Sequence, residues 1–323
     1  MPARPKNLEI SIHSLLDELG YLESPFFRES PDNPDPAIAH VLRDAKRADV
    51  RGSYFVRTTE GVTRERPAVH IAEAGTAKEA REIHRRLWNQ GAAPFLIVSL
   101  PAQVRVYTPF DFDGTDESVG QITQADDLKE VAEKLAFLHA TSIDSGEIWR
   151  NEGLAITRER RVDRALLGAL RELSQHLIGH HGLSATVAHS LVGRFVYLYY
   201  LRHRGILSDH WLDGVGVAPE SVFSENVRVD SFRRLTQAVD ERFNGHIFPI
   251  DWSAPNAPDA EAVHTAGRAF SGETLGTGQL ALFTTFDFSF IPIELLSAIY
   301  EQFLHDVGGA ADHGAFYTPR DGG

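Results

Sequence analysis

The chain has 323 residues, of which 42% are hydrophobic and 24% charged, a globular balance that excludes a disordered chain, a collagen or a coiled-coil rod. At roughly 150 residues per domain the length predicts two domains. With no cysteine at all, disulfide scaffolds, thiolate zinc sites, iron–sulfur clusters and cysteine nucleophiles are excluded. Forty-five acids against 32 bases give a net charge of −13. That balance opposes a surface that coats phosphate throughout, though it leaves room for one local basic face. Five of the bases are lysine and 27 arginine, a bias that high-GC coding also produces. No apolar run reaches the ~18 residues of a membrane span. Residues 1–9 carry basic side chains without an apolar stretch behind them, so no secretory signal and a cytoplasmic location are expected.

Apolar residues from Leu8 to Leu19 follow helical spacing, and Gly20 stands where a C-cap would. Ser24 to Pro36 holds four prolines and reads as an extended loop. A short helix follows from Pro36 to Ala48. Ser53 to Arg57 and Pro67 to Ala72 alternate apolar and polar residues, as strands do. Thr76 to Asn89 is a helix with Ala77, Ala80, Ile83 and Leu87 as its stripe, ended by Gly91. Pro94 to Leu100 is continuously apolar, as in a buried strand, and Val104 to Pro109 alternates again. The acidic segment Phe112 to Gly120 reads as a linker. Beyond it the pattern turns helical, over 127–140, 161–182, 184–204 with Ser184 as N-cap, 230–244, a short stretch from Asp259, and 292–306 with Pro292 in its first turn. The expected fold is thus an α/β N-terminal domain, a mixed sheet with helices, over residues 1–120, followed by a mainly α-helical domain over 121–307.

Several features look chemical and read as structural. His176, His180 and His181 share a helix, but Leu177 stands where a metalloprotease needs glutamate, and no third ligand is evident. Asp35-Pro36-Ala37 lacks the glycines of a nucleoside-binding loop, since Ile38-Ala39-His40 follow. Gly272 to Gly278 is glycine-rich without a P-loop lysine. In restriction nucleases of the Asp…Glu-x-Lys type two acids hold magnesium and a lysine assists the attacking water. Asp49 and Glu73 stand near the right strands, but Ala74 and Gly75 follow Glu73, and the next lysine is Lys78, inside a helix. A nuclease-like domain with an empty site is expected, with an active metal-dependent nuclease as the alternative. No residue is assigned a catalytic or metal-binding role.

One set of motifs points to a family. Gly314-Ala315-Phe316-Tyr317-Thr318-Pro319 follows a helix that carries Leu295-Leu296-Ser297-Ala298-Ile299-Tyr300-Glu301-Gln302-Phe303-Leu304. Upstream stand Leu191 to Leu201, Arg204-Gly205-Ile206-Leu207, and Phe243-Asn244-Gly245-His246-Ile247-Phe248-Pro249. Leu87-Trp88-Asn89-Gln90-Gly91, Pro94-Phe95-Leu96 and Val104-Arg105-Val106-Tyr107 complete the set. In this order they resemble adenine-N6-specific DNA methyltransferases of restriction-modification and phage-defence systems, from ~54 to 319. The resemblance implies that residues 308–323 open a catalytic domain and that Phe316, Tyr317, Thr318 and Pro319 line an S-adenosylmethionine pocket. It implies DNA as a partner, alongside a restriction or specificity subunit. The family's glycine loop and its Asn-Pro-Pro-Tyr motif do not occur in these residues. In the family the Asn side chain and Pro carbonyl accept hydrogen bonds from the adenine amine, and the Tyr stacks on the flipped base. The chain is therefore expected to be a non-catalytic N-terminal part, holding S-adenosylmethionine at most weakly, that supports DNA recognition or assembly. An interaction scaffold is the remaining alternative.

Overall fold

The computed structural model describes residues 10–29, 36–58, 64–148, 161–243, 248–272, 283 and 285–307. It divides into two compact units, Met1–Val162 and Asp163–Gly323.

The first unit is built on one six-stranded sheet in chain order, β1 (Phe27–Glu29), β2 (Val50–Thr58), β3 (Arg64–Glu73), β4 (Phe95–Leu100), β5 (Gln103–Tyr107) and β6 (Gln121–Ala125). Every neighbouring pair is antiparallel except β3 and β4, which run parallel with Val69 opposite Phe95. A parallel pair needs a crossover, and α3 (Ala77–Gln90) supplies it. Both ends of that helix are written in the sequence. Thr76 Oγ1 accepts from Glu79 N, Glu79 reaches back to Gly75 N at 2.7 Å, and Gly91 closes the helix at φ 60°.

Side chains leave a strand alternately to its two faces. Tyr54, Val69, Ile71, Phe95, Ile97, Val104 and Val106 share a core with Leu15 and Leu16 of α1 (Ile12–Glu18), Val131 of α4 (Leu128–Lys134) and Ile143 of α5 (Ala140–Asp144). Phe55, the next residue after Tyr54, packs instead on Ile38 and Leu42 of α2 (Pro36–Arg47).

Three expectations change here. The proline-rich loop contains β1, whose Phe27 pairs with Tyr54. The helix expected over 127–140 breaks after Lys134, because Tyr21 Oη donates to Leu138 O at 2.6 Å and Ala140 N donates to Leu19 O at 2.9 Å. Those tertiary bonds compete with the helical ladder. Residues 112–120 are no linker either. They close back on the sheet through Thr108 N to Gly120 O at 2.7 Å, and β6 follows as a further strand. The division therefore falls after Val162, where the sequence had placed it after residue 120.

The second unit is helical. α6 (Val162–His181) opens at the boundary, followed by α7 (Ala185–His203), α8 (Asp209–Gly214), α9 (Val229–Phe243), α10 (Ala260–Ser271) and α11 (Ile293–Val307). Ser184 caps α7 through Val187 N, and Asp259 caps α10 through Ala262 N at 2.8 Å. The core is strongly aromatic. Phe195 stacks on Phe232 at 4.6 Å and on Phe270 at 5.5 Å, and Phe270 stacks on Phe283 at 4.0 Å. No helix among the described residues is long and apolar enough to cross a membrane.

Candidate functional site

At one end of the sheet, the pairing of Val50 with Ala72 brings the flanking residues Asp49 and Glu73 to the same edge. Both carboxylates are exposed, and each is paired with an arginine. Asp49, left-handed at φ 63°, forms an ion pair with Arg86 of α3. Glu73 pairs with Arg51 at 2.7 Å. An arginine stays protonated and has no lone pair to offer a metal. Among the described residues no group of three or more His, Asp or Glu side chains could hold a metal ion.

Beside this edge, α3 holds the loop that precedes β6. The Arg81 guanidinium donates to the carbonyls of Val119, Asp113 and Asp116 at 2.6–2.8 Å and lies 4.2 Å from the centre of the Phe112 ring. His84 joins it. A carbonyl can only accept, so His84 Nε2 donates to Thr108 O at 2.9 Å, and Nδ1 accepts from Arg81 Nη1 at 3.0 Å. Burial pushes the His84 imidazole down to about 3, which leaves it a fixed neutral connector and no proton shuttle. Gly120 is required where it stands. At φ +80° a Cβ there would run into the Asp111 carbonyl oxygen and lie 2.5 Å from His84 Cε1.

In the second unit, residues from three of the family-like motifs meet. Gly193 sits inside α7 where a Cβ would lie 2.3 Å from Tyr300 Oη and 2.8 Å from the Phe248 ring. The rings of Phe248 and Tyr300 are 4.3 Å apart, and Tyr300 Oη donates to His189 O at 3.2 Å. Arg194 then grips Asp240 with both terminal nitrogens, at 2.5 and 2.7 Å, and donates Nε to Phe248 O at 2.8 Å. The bidentate fork is on Asp240, and the Nε bond meets Phe248 where its φ is 56°, a left-handed conformation unusual for a bulky side chain. The Arg194 and Asp240 side chains are 5% and 12% exposed. The arrangement fixes helices to one another and presents no nucleophile to solvent. Ile299, Tyr300 and Phe303 are buried, as their helical spacing predicts.

Nearby chemistry faces outward. An open groove of about 610 Å³ is lined by Tyr199, Arg202, His203, Glu220 and Phe223, among others. Arg202 is committed to Leu207 O at 2.7 Å and Asp209 at 2.5 Å. The Tyr199 hydroxyl is buried and finds no hydrogen-bond partner among the described residues, and burial drives its phenol well above the usual range. His203 Nδ1 lies 3.5 Å from Asp287. Burial alone would pull the Asp287 carboxyl up, but His203 and Ser289 together hold it well below the usual carboxylate range. This groove had no signal in the sequence, because its lining comes from the last turn of α7 and a loop without any motif.

The residues expected to contact S-adenosylmethionine, Phe316, Tyr317, Thr318 and Pro319, lie outside the described residues, as do most of the Gly272 to Gly278 stretch and Asp35. No family model matches the chain, and no curated protein or solved structure matches it.

Proposed function

We propose that this chain is the N-terminal, non-catalytic part of a site-specific adenine-N6 DNA methyltransferase of the restriction-modification type, in which it supports DNA recognition or assembly. The observation that carries the reading is the meeting of Gly193, Phe248 and Tyr300. Each comes from a different motif of the resemblance, and each motif taken alone is a short apolar string. Side chains that must interlock explain why such strings would recur together and in order.

The chemistry divides accordingly. S-adenosylmethionine would supply an electrophilic methyl group, and Phe316 to Pro319 would contribute to its pocket in the parent enzyme. The chain's own residues would position DNA or a restriction or specificity subunit. With neither the glycine loop nor the Asn-Pro-Pro-Tyr cluster, nothing in it would orient the adenine amine for attack. The nuclease alternative is disfavoured by the arginine partners of Asp49 and Glu73.

Selection from a randomised duplex pool by the purified chain tests recognition. One enriched adenine-containing sequence, with retention that weakens as salt rises, supports it; no duplex held above a control protein overturns the recognition role. In the same preparation no labelled methyl group should pass from S-adenosylmethionine to DNA, and no strand should be cut with magnesium or manganese. Methyl incorporation would overturn the non-catalytic assignment. Cleavage that vanishes in Glu73→Ala would replace it with the nuclease.

A further inference from the structure

The last turns of α6 carry a histidine arrangement that the proposed function does not use. His176 and His180 are one turn apart on the same face. Their rings lie nearly parallel, with centroids 4.1 Å apart and planes 19° apart. His180 Nδ1 lies 3.3 Å from His176 O. Because the carbonyl can only accept, Nδ1 carries the proton and the Nε2 lone pair of His180 is left for another partner. His180 is exposed and His176 half-buried, so an ion can reach the pair from solvent.

We propose that His176 and His180 form a two-imidazole chelate for a borderline transition-metal dication, copper, nickel or zinc, with water filling the remaining positions. Metal–nitrogen bonds of ~2.0–2.1 Å place two ligand nitrogens roughly 3 Å apart. With ring centroids 4.1 Å apart in successive turns, the two rings must turn about their side-chain torsions to aim one nitrogen each at a shared ion. Imidazole selects copper, nickel and zinc and offers little to magnesium or calcium, which take oxygen ligands. His181 is left out of the chelate, since its ring lies 6.1 Å from that of His176 and its Nε2 is 3.0 Å from Thr265 Oγ1 of α10. A bound ion would tie together the last two turns of α6 before Gly182 reverses the chain at φ +64°. This site is independent of the methyltransferase reading, and its cations are not the magnesium or manganese a nuclease would use.

Isothermal titration of the untagged full chain with copper, nickel, zinc and magnesium chlorides tests it. The expected result is a saturable site of one ion per chain, tightest for copper and absent for magnesium. His176→Ala and His180→Ala should each weaken it at least tenfold, while His181→Ala leaves it unchanged. The exposed position of His180 makes loss of fold in that variant easy to exclude by circular dichroism. In the copper-loaded chain, electron paramagnetic resonance should show two coordinated nitrogens. No binding of any of the three metals, binding that survives both substitutions, or equal loss in His181→Ala would overturn the proposal.

Discussion

Gly168 and Gly193 both lie within helices, yet replacing each by alanine should have opposite effects. Around Gly168 a Cβ meets nothing within 4 Å. Gly168→Ala therefore gains helix propensity, and stability should rise by about 0.5–1 kcal/mol. At Gly193 the same methyl would overlap Tyr300 Oη and the Phe248 ring. There overpacking should outweigh propensity, for a net loss of about 1–3 kcal/mol. Removing the hydroxyl should relieve part of it, so Gly193→Ala with Tyr300→Phe should be less destabilised than Gly193→Ala alone. Denaturant unfolding of the three variants beside the unaltered chain reads both signs. Equal effects at the two glycines would show that the close approach at Gly193 carries no energy. Neither outcome is legible in the sequence, where both residues appear as glycines in helical patterns. The difference lies in what another segment places opposite them.

At the scale of elements, the legible parts were those whose signals are local. α3, α7 and α10 begin at Thr76, Ser184 and Asp259, each a side chain that accepts from the helix's own first turn. β4 was legible because it is buried on both faces and apolar but for Ser99. β1 and β6 were not, since each is a short edge strand of mostly polar or half-buried residues whose identity comes from a partner. The linker reading of 112–120 failed for a similar reason. An acidic, glycine-bearing segment looks solvated, and the contacts that make it a fixed loop come from residues distant in sequence, Arg81 foremost. Arg81→Ala should leave three carbonyls without their common donor, at about 1–3 kcal/mol. Amide exchange within 109–120 should accelerate by at least tenfold, while exchange in β4 changes little. Uniform acceleration across the first unit would mean that Arg81 supports the whole sheet and not the loop.

For the molecule as a whole, the response to acid follows from two imidazoles in the first unit. His70, bonded to Ser53 Oγ at 2.8 Å, and His84 are both buried, and burial lowers them to about 4 and about 3. In the unfolded chain a histidine titrates near ~6.5. The folded state thus refuses protons that the unfolded state accepts, and stability is full above pH ~6.5 and falls as pH drops toward the folded values. At pH 5 the solution is about 1.5 units below the unfolded pKa of each histidine, so the pair should cost on the order of 4 kcal/mol at ~1.36 kcal/mol per unit. Replacing either by glutamine should reduce the slope of stability against pH in this window by about one proton. An unchanged slope in both variants would mean that the carboxylates govern acid unfolding. As for the site, the sequence indicated which segments belong together without showing where they meet. Gly193, Phe248 and Tyr300 are separate patterns until the helices pack, and the groove beside Tyr199 has no pattern at all.

The lone parallel seam between β3 and β4 has a consequence in time. β2 with β3, and β4 with β5, can each pair through short connections, and local contacts of this kind form fast. The two halves cannot join until α3 has folded, because the helix sets the distance and direction of the return strand. Helix formation should therefore already be complete at the rate-limiting step. Thr76→Ala, which removes a cap worth about 1 kcal/mol, should slow folding roughly fivefold and leave the unfolding rate almost untouched. A chevron in which the unfolding arm moves instead would place the seam early and the helix late.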